Sequence, residues 1–271
     1  YTVFSSSPFA GCIELATIGC SASTILPFAE LVTSNIGRGP NPLLQNHPLM
    51  AIHPPMLYIG YVGMTMPFVA ATSRLYSRKD KSNSWIEVAE KTTYIPWLFL
   101  TIGITLGAAW SYEVLGWGGY WAWDPVENVS FIPWLLATAF LHSAKIQKTQ
   151  NTLLNWNYIL VGLMFLSTLF GTFITRSGVL ISVHAFSNGN IGTYLLFGML
   201  IFGLIFIAIG SKNIEYFSKS KKIDNWFGKS GFFVFNNIFL FSSALVIFIG
   251  TIFPLIYETL YSRQITVGRA Y

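Results

Sequence analysis

The chain alternates between long apolar stretches and short polar ones, and the apolar stretches have the length of membrane-spanning helices. A hydrocarbon core of about 30 Å requires roughly 20 mostly apolar residues in a helix. Five stretches meet or approach that length and one is shorter. They run approximately over residues 52–71, 94–110, 125–144, 156–175, 191–210 and 232–257. The pattern predicts an all-α, polytopic membrane helix bundle of about six transmembrane spans.

Lysine and arginine are concentrated in every second loop of this arrangement. Three alternate loops hold 12 of the 16 basic residues, namely Arg74, Arg78, Lys79, Lys81, Lys91, Lys145, Lys148, Lys212, Lys219, Lys221, Lys222 and Lys229. The intervening loops hold only Arg176. Basic loops stay on the cytoplasmic or matrix side, so the N-terminal segment and the intervening loops are predicted to face outward. The net charge of +5 therefore reflects topology and requires no nucleic-acid partner.

The predicted organisation has three parts. Residues 1–48 form an outer-face segment, residues 49–260 a transmembrane helical domain, and residues 261–271 a truncated outer-face tail. Only 10% of the residues are charged, against about a quarter in soluble domains. Cys12 and Cys20 have neither redox nor zinc spacing, and idle thiols are favoured over a disulfide, although pairing stays open. The chain begins with Tyr1, so we expect a processed chain, a split-gene product or a piece of a longer protein.

Aromatic and glycine residues cluster in the outward loop 110–128. The aromatic residues are Trp110, Trp117, Tyr120, Trp121 and Trp123, and the glycines are Gly116, Gly118 and Gly119. Tryptophan alone is typical of the membrane interface, where it acts as an anchor. Glycine also allows backbone to approach a ligand closely, and clustered rings offer a flat apolar surface to a planar ligand. The combination favours a ligand platform over a simple aromatic belt.

Two carboxylates end this loop and resemble a catalytic pair. However, Asp124 precedes Pro125 and Glu127 follows three residues after it, which is the pattern of a helix capping box with proline at the first helical position. The structural interpretation is favoured, in which these residues start the third span and orient the tryptophan-rich loop.

Four histidines offer possible ligands. His53 and His184 both fall on the outward side, and neutral imidazole is a common axial ligand of haem iron. Alone, each would be interpreted as an interfacial histidine bonded to a carbonyl, but their shared side with the aromatic platform favours ligation. Arg176 could pair with a haem propionate or could snorkel to the interface. His142 lies inside the third span, where a second haem ligand and a bond to a neighbouring helix are both open. His47 is expected to be solvated.

Five stretches carry a resemblance to a known family. They are 41–45, 52–63, 116–128, 133–143 and 171–186. Together they resemble the cytochrome c maturation haem lyases of the CcmF/NrfE type, the second of which serve nitrite-reductase assembly. In this family a tryptophan-rich "WWD" loop lies between two outer histidines. The likeness runs from Asn41 to about Pro254 and corresponds to the central portion of the usual family chain.

The resemblance implies specific roles. His53 and His184 would be the axial ligands that hold haem b over the tryptophan-rich loop, within a haem-handling domain. His142 would be one of two ligands to a separate intramembrane b haem that receives electrons from quinol. A haem chaperone would supply the haem, and apocytochrome c would present its CxxCH thiols with help from thioredoxin-like and helper subunits. The resulting activity is that of a membrane component of the haem lyase, which forms two thioether bonds.

The chain also departs from the family. Members are usually about twice as long, and the second ligand of the b haem belongs to a later span, whereas no histidine follows His184 here. Either a split-partner polypeptide completes that site, as in split forms of the family, or the sequence is a fragment of a longer chain. Two other functions are open: a haem-delivery protein that loads a chaperone, and a non-catalytic membrane scaffold. The predicted location is the bacterial inner membrane or the mitochondrial inner membrane, with the tryptophan-rich loop facing the periplasm or the intermembrane space.

Overall fold

The computed structural model describes residues 11–15, 19–23, 47–77, 84–114, 119–177, 179–180, 191–223 and 226–261. The chain divides into two compact units, Tyr1–Asn46 and His47–Tyr271. In the first unit, strands β1 (Gly11–Leu15) and β2 (Gly19–Ser23) pair antiparallel. This hairpin was not predicted from the sequence. Its backbone register pairs Cys12 with Ala22 and Cys20 with Glu14.

The second unit is helical in the residues that the structure describes, apart from short irregular segments, turns and one isolated bridge. Its helices are α1 (Leu49–Gly63), α2 (Thr65–Ser77), α3 (Ser84–Val114), α4 (Pro125–Gln150), α5 (Leu154–Ser177), α6 (Ile191–Lys212), α7 (Ile214–Ser218) and α8 (Lys229–Tyr261). Six segments are long and apolar enough to cross a membrane, with α1 and α2 together forming the first. The predicted six-span membrane bundle is confirmed, and the chain is an integral membrane protein.

Helix α4 is the most buried of the six spans. It packs against α3, α5 and α8, and its aliphatic side chains supply much of the core. A polar network joins it to α5, where Ser143 donates to the side-chain oxygen of Asn157 and the Asn157 amide donates to Gln147 at 2.7 Å. All three side chains are fully buried. Such hydrogen bonds set the register of two helices in an environment where apolar surface alone gives little direction.

Glycines mediate the contact between α1 and α3. A Cβ added at Gly60 would lie 2.6 Å from Cγ of Leu100, and one added at Gly103 would lie 2.8 Å from a methyl carbon of Leu57. Gly107 lies one turn further along α3, in a Gly-x-x-x-Gly spacing with Gly103. Small residues of this kind let two membrane helices approach closely, so that packing replaces the missing hydrophobic driving force.

An ion pair joins α3 and α4 near the ends that lie away from the tryptophan-rich loop. Glu90 is 4% exposed, and its carboxylate accepts hydrogen bonds from Lys148 Nζ at 2.6 Å and from the Tyr94 hydroxyl at 3.2 Å. A carboxylate in this position requires partners, because a buried unpaired charge is costly.

The glycine contact generates a stability prediction. We expect Gly60→Ala to lower the free energy of unfolding by about 1–3 kcal/mol, because the added methyl group overpacks the α1–α3 contact. Gly198→Ala in α6 is the matched control, since a Cβ there would meet nothing within 4 Å. Thermal unfolding of the detergent-purified proteins, followed by circular dichroism, measures both. Equal unfolding temperatures for the two variants would contradict close packing at Gly60.

Candidate functional site

The candidate site lies where α1 begins, α3 ends and α4 begins. His53 lies in the second turn of α1 and is 9% exposed. Its Nδ1 donates to the carbonyl oxygen of Gly103 at 2.7 Å. Because a carbonyl can only accept, the neutral ring carries its hydrogen on Nδ1, and Nε2 is the nitrogen with the lone pair. This is the tautomer that a metal-binding imidazole uses when a backbone carbonyl orients it.

Gly107 provides the space that the His53 ring occupies. A Cβ at this position would lie 2.5 Å from Cε1 of His53 and 2.9 Å from Nδ1. Any side chain larger than hydrogen would therefore displace the imidazole from α3. The sequence analysis did not identify Gly103 or Gly107, although their Gly-x-x-x-Gly spacing in an apolar stretch was a visible signal of close helix contact.

Trp110 packs beside His53 at the end of α3. The two ring centroids are 5.8 Å apart, with an interplanar angle of 59°. The indole N–H of Trp110 is buried and makes no hydrogen bond to any residue that the structure describes. A buried indole N–H normally has a partner, so this atom marks a place where a polar group of a ligand could be received.

His47 is not solvated as expected, and this expectation is corrected. Its Nδ1 accepts a hydrogen bond from the Leu49 backbone N–H at 3.2 Å, so its Nε2 donates to the carboxylate of Glu113 at 2.8 Å. Its ring is roughly parallel to that of Trp110, with centroids 6.4 Å apart. The half-buried histidine thus connects the start of α1 to the end of α3. The partner lies 66 positions away, which local sequence could not reveal.

Asp124, Pro125 and Glu127 form the start of α4. The Asp124 carboxylate accepts from the Val126 backbone N–H at 3.0 Å, proline occupies the first turn, and the capping box is present. Glu127 Oε2 accepts from two backbone N–H groups, that of Asp124 at 3.3 Å and that of Ala122 at 2.9 Å. The pair therefore holds the end of the tryptophan-rich loop onto the helix. A purely structural role for the two carboxylates stays a prediction.

Trp123 and Trp121, at the end of the tryptophan-rich loop, differ in backbone conformation and exposure. Trp123 has a φ of 59°, a left-handed backbone conformation that is strained for a bulky residue. Trp121 is 36% exposed, and its indole N–H donates to Asn128 Oδ1 at 3.3 Å. Asn128 is 1% exposed and had no predicted role. The segment is thus held in a strained conformation that presents an indole ring at the surface.

Further aromatic rings extend this surface in two directions. Tyr120 stacks on Tyr112 with centroids 4.5 Å apart and an interplanar angle of 11°, and both are exposed. A second row descends between α3 and α4, in the order Trp121, Phe131, Trp134 and Trp97, with successive centroids 5.6, 5.3 and 6.3 Å apart. The described rings around the loop therefore form two groups, an exposed tyrosine pair and a row that runs from the exposed Trp121 to rings packed against the core.

The remaining predicted residues are partly described. Arg176, at the end of α5, donates to the hydroxyl of Tyr58 on α1 at 3.2 Å, so it lies beside the helix that carries His53. The backbone carbonyl of Gly119 accepts from Ser111 at 3.4 Å. Predictions that fall outside the described residues are those for His184, Trp117, Gly116 and Gly118.

His142 lies in a separate place, about 26 Å along α4 from Pro125 at 1.5 Å per residue. Its Nδ1 is 2.8 Å from the side-chain nitrogen of Asn236 on α8, and its ring is 5.6 Å from that of Phe233. The bond to a neighbouring helix that the sequence left open is therefore present. Turning the Asn236 amide over would instead place its oxygen against Nδ1–H and leave the lone pair on Nε2, the arrangement for an iron ligand.

Comparison with known proteins shows the family to which the chain belongs. The family model described as "Cytochrome C assembly protein" matches residues 4–181, more than half of the chain. Rhodobacter capsulatus cytochrome c-type biogenesis protein ccl1 is 40% identical over 263 residues, which are 95% of this chain and 39% of that protein. Escherichia coli CcmF is 38% identical over 87% of this chain and 36% of its own length. The chain spans less than two-fifths of these relatives.

Other relatives agree with this assignment. Haemophilus influenzae cytochrome c-type biogenesis protein NrfE is 40% identical over 87% of this chain and 37% of its own length. The solved structure of a protein named "Cytochrome c Heme Lyase CcmF" superposes with a TM-score of 0.64 at 39% identity, and covers 79% of this chain and 32% of that one. The chain belongs to the cytochrome c assembly protein family and is of the CcmF type.

Proposed function

We propose that this chain is a haem-binding component of a cytochrome c haem lyase. It would bind haem as a substrate on the outer face, over the tryptophan-rich loop, and hold it for attachment to the CxxCH thiols of apocytochrome c. The observation that carries the proposal is the His53 imidazole, which a backbone carbonyl orients and a glycine accommodates beside a tryptophan. The name of the relative CcmF, a cytochrome c-type biogenesis protein, and the name of the matched solved structure, a cytochrome c haem lyase, support the lyase part of this proposal.

His53 and His184 are proposed as the two axial ligands. The hydrogen bond from His53 Nδ1 to Gly103 supports this role, because it leaves the lone pair on Nε2 and makes the ligand more basic. Two imidazoles would complete a six-coordinate site, which holds the porphyrin by coordination and packing. The proposal extends to His184 from the family resemblance, in which two outer histidines flank the tryptophan-rich loop.

Aromatic and cationic groups would orient the porphyrin. The exposed face of Trp121 and the stacked pair of Tyr112 and Tyr120 suit a flat apolar ring system. The buried indole N–H of Trp110 and the guanidinium of Arg176 are donors suited to propionate carboxylates. Trp117 and Trp123 complete the platform in this proposal, and Gly118 and Gly119 allow the close approach.

Attachment requires positioning above all. Each thiol adds across a vinyl C=C bond, so that a sulfur–carbon bond forms and the thiol hydrogen passes to the other vinyl carbon, with no net gain or loss of electrons. When the porphyrin is held in one orientation beside the thiols, the effective concentration of the thiols at the vinyl groups is high. The chain would contribute orientation and exclusion of water, and the haem and thiols supply the reacting atoms.

His142 is proposed as one ligand of a second, intramembrane b haem, which would supply electrons from quinol. Its position on α4 and its bond to Asn236 fit an iron ligand only after the amide turns over. The family resemblance assigns the other ligand to a later span, and none of the four histidines of this sequence follows His184, so that ligand lies outside these residues, in a split-partner polypeptide or in a further part of a longer chain. The lyase activity is therefore proposed for an assembly that also includes a haem chaperone, apocytochrome c, and thioredoxin-like and helper subunits.

The proposed orientation follows from the basic loops. The segments that join α2 to α3, α4 to α5 and α6 to α8, together with the adjoining helix ends, hold 12 of the 16 lysines and arginines, and such segments remain on the cytoplasmic or matrix side. The tryptophan-rich loop would then face the periplasm or the intermembrane space, where apocytochrome c is delivered. The proposed membrane is the bacterial or mitochondrial inner membrane.

The ligand assignment is tested by removing both outer histidines. We expect His53→Ala combined with His184→Ala to lower the haem content of the affinity-purified chain, with any polypeptides that accompany it, at least tenfold. Loss of axial coordination is the reason. A pyridine haemochrome assay and a reduced-minus-oxidised spectrum measure the result. Membrane insertion should be unchanged, and unaltered haem content in the double variant would reject the assignment.

Gly107 offers a test that leaves every histidine in place. We expect Gly107→Ala to lower haem content at least tenfold, because its methyl group displaces the His53 ring. Gly60→Ala is the matched control at the same helix contact, since its methyl group meets Leu100 instead. Haem per folded protein should fall at least tenfold in the first variant and much less in the second, whose added methyl group does not touch the His53 ring. A similar fall in both would show that general packing, and not His53, is responsible.

Asp124 distinguishes a capping role from a chemical one. Asparagine caps helices as well as aspartate does, so Asp124→Asn should retain covalent haem attachment within about twofold. Asp124→Ala removes the hydrogen bond to Val126, costs about 1 kcal/mol of stability, and should lower attachment further. Peroxidase staining of haem bound to a c-type cytochrome measures attachment. If Asp124→Asn abolished attachment while folding normally, the carboxylate would have a chemical role.

A further inference from the structure

A groove of about 380 Å³ lies at the end of the bundle away from the tryptophan-rich loop. It runs between the turn that joins α4 to α5 and the segment that follows α7. Its lining includes Leu153, Trp156, Ser220, Lys221, Lys222 and Trp226. None of these residues takes part in the candidate site or in the proposed haem chemistry.

The groove is held in shape by hydrogen bonds from both of its walls. The Lys221 backbone N–H donates to the carbonyl oxygen of Asn151 at 2.9 Å, and Thr152 and Lys221 form a parallel bridge. Trp156 is oriented by a bond from its indole N–H to Asn237 Oδ1 on α8, at 3.2 Å. The lysine segment is thus fixed to the turn between α4 and α5, and the wall tryptophan is fixed to α8.

Strained backbone forms one rim of the groove. Asn151 and Leu153 have φ values of 55° and 61°, in the left-handed region. Asparagine tolerates this conformation, but leucine rarely adopts it, so the surrounding structure must hold Leu153 there. Backbone strain of this kind is concentrated at binding sites and switch regions. The turn is therefore more constrained than a simple connection between two helices requires.

The lining combines positive charge with indole rings. Lys221 and Lys222 are both exposed, and no acidic side chain is among the described residues that line the groove. Trp226 is 51% exposed, and its ring lies 6.3 Å from that of Phe235 on α8. The site lies where α4 ends and α5 begins, which is the membrane–water interface of two spans. Tryptophan rings at this depth lie at the level of lipid headgroups.

We propose that this groove binds the phosphate headgroup of an anionic membrane lipid. Lys221 and Lys222 hold the phosphate, and Trp156 and Trp226 flank the glycerol region. The acyl chains continue along the first turns of α8, where Phe232 and Phe235 are 64% and 52% exposed. This continuity of a basic groove with a lipid-facing apolar surface favours a lipid over free phosphate. Basic pockets between spans at this interface are the usual setting for acidic lipid headgroups.

The proposal is independent of haem binding and of the direction in which the chain crosses the membrane. The groove lies at a span end in either orientation, and no histidine is among the described residues that line it. Lipid binding can therefore fail while the lyase proposal stands, or the reverse. The two are measured by different assays on the same purified protein.

Native mass spectrometry of the detergent-purified chain tests the proposal. The probes are phosphatidylglycerol, phosphatidylcholine with the same acyl chains, and inorganic phosphate. We expect phosphatidylglycerol to bind at least tenfold more tightly than phosphatidylcholine. Lys221→Gln with Lys222→Gln should weaken phosphatidylglycerol binding about 25-fold, at about fivefold for each lysine. Lys212→Gln with Lys219→Gln is the matched control, because both lysines are exposed and neither lines the groove.

Each outcome decides the question. Loss of the phosphatidylglycerol preference in the Lys221/Lys222 variant alone supports the site. Equal loss in the control variant would mean general attraction to a basic surface, and equal binding of both lipids by the unaltered chain would mean no headgroup site at all. Inorganic phosphate binding as tightly as phosphatidylglycerol would assign the groove to a soluble anion. Each of these three results overturns the proposal.

Discussion

The close contact of α1 with α3 is the constraint on which the site depends. Two helices in lipid have no hydrophobic force drawing them together, so their association requires surfaces that approach closely. Gly60 on α1 and Gly103 with Gly107 on α3 remove the side chains that would hold the backbones apart. The same approach brings the His53 ring within 2.7 Å of the Gly103 carbonyl. The packing of α1 on α3 therefore also determines the tautomer of His53, because it brings the Gly103 carbonyl within hydrogen-bond distance of Nδ1.

The conformation of the end of the tryptophan-rich loop depends in turn on the start of α4. Glu127 accepts hydrogen bonds from the backbone at both Ala122 and Asp124, so the segment is held by the helix that follows it. This explains how Trp123 can keep a left-handed backbone that an isolated loop would relax. Helix α4 is packed on α3, α5 and α8 and is the most buried span of the bundle, so the packed core holds Trp123 in its strained conformation through Glu127. The end of the tryptophan-rich loop, at Ala122 and Asp124, is therefore anchored to the core through Glu127.

The sequence predicted those features that follow from local chemistry or from the lipid. Six spans could be identified because a chain in hydrocarbon must form its backbone hydrogen bonds within each helix. The capping box could be identified because its groups lie within four residues of one another. Helix ends could not be placed, since hydropathy marks the limit of the lipid while α4 continues to a left-handed cap at Asn151. The bonds of His47 to Glu113 and of His142 to Asn236 join distant positions, so only the packed fold establishes them.

Helix α4 also fixes the distance between the tryptophan-rich loop and His142. Its first turn holds the tryptophan-rich segment, and His142 lies about 26 Å further along it. A buried helix packed on three others cannot shorten this distance by bending, because its side chains interdigitate with theirs. One porphyrin therefore cannot contact both ends, and any ligand of His142 is distinct from a ligand of the tryptophan-rich segment. The aromatic row between α3 and α4, which includes Phe131, Trp134 and Trp97, packs along part of the intervening length.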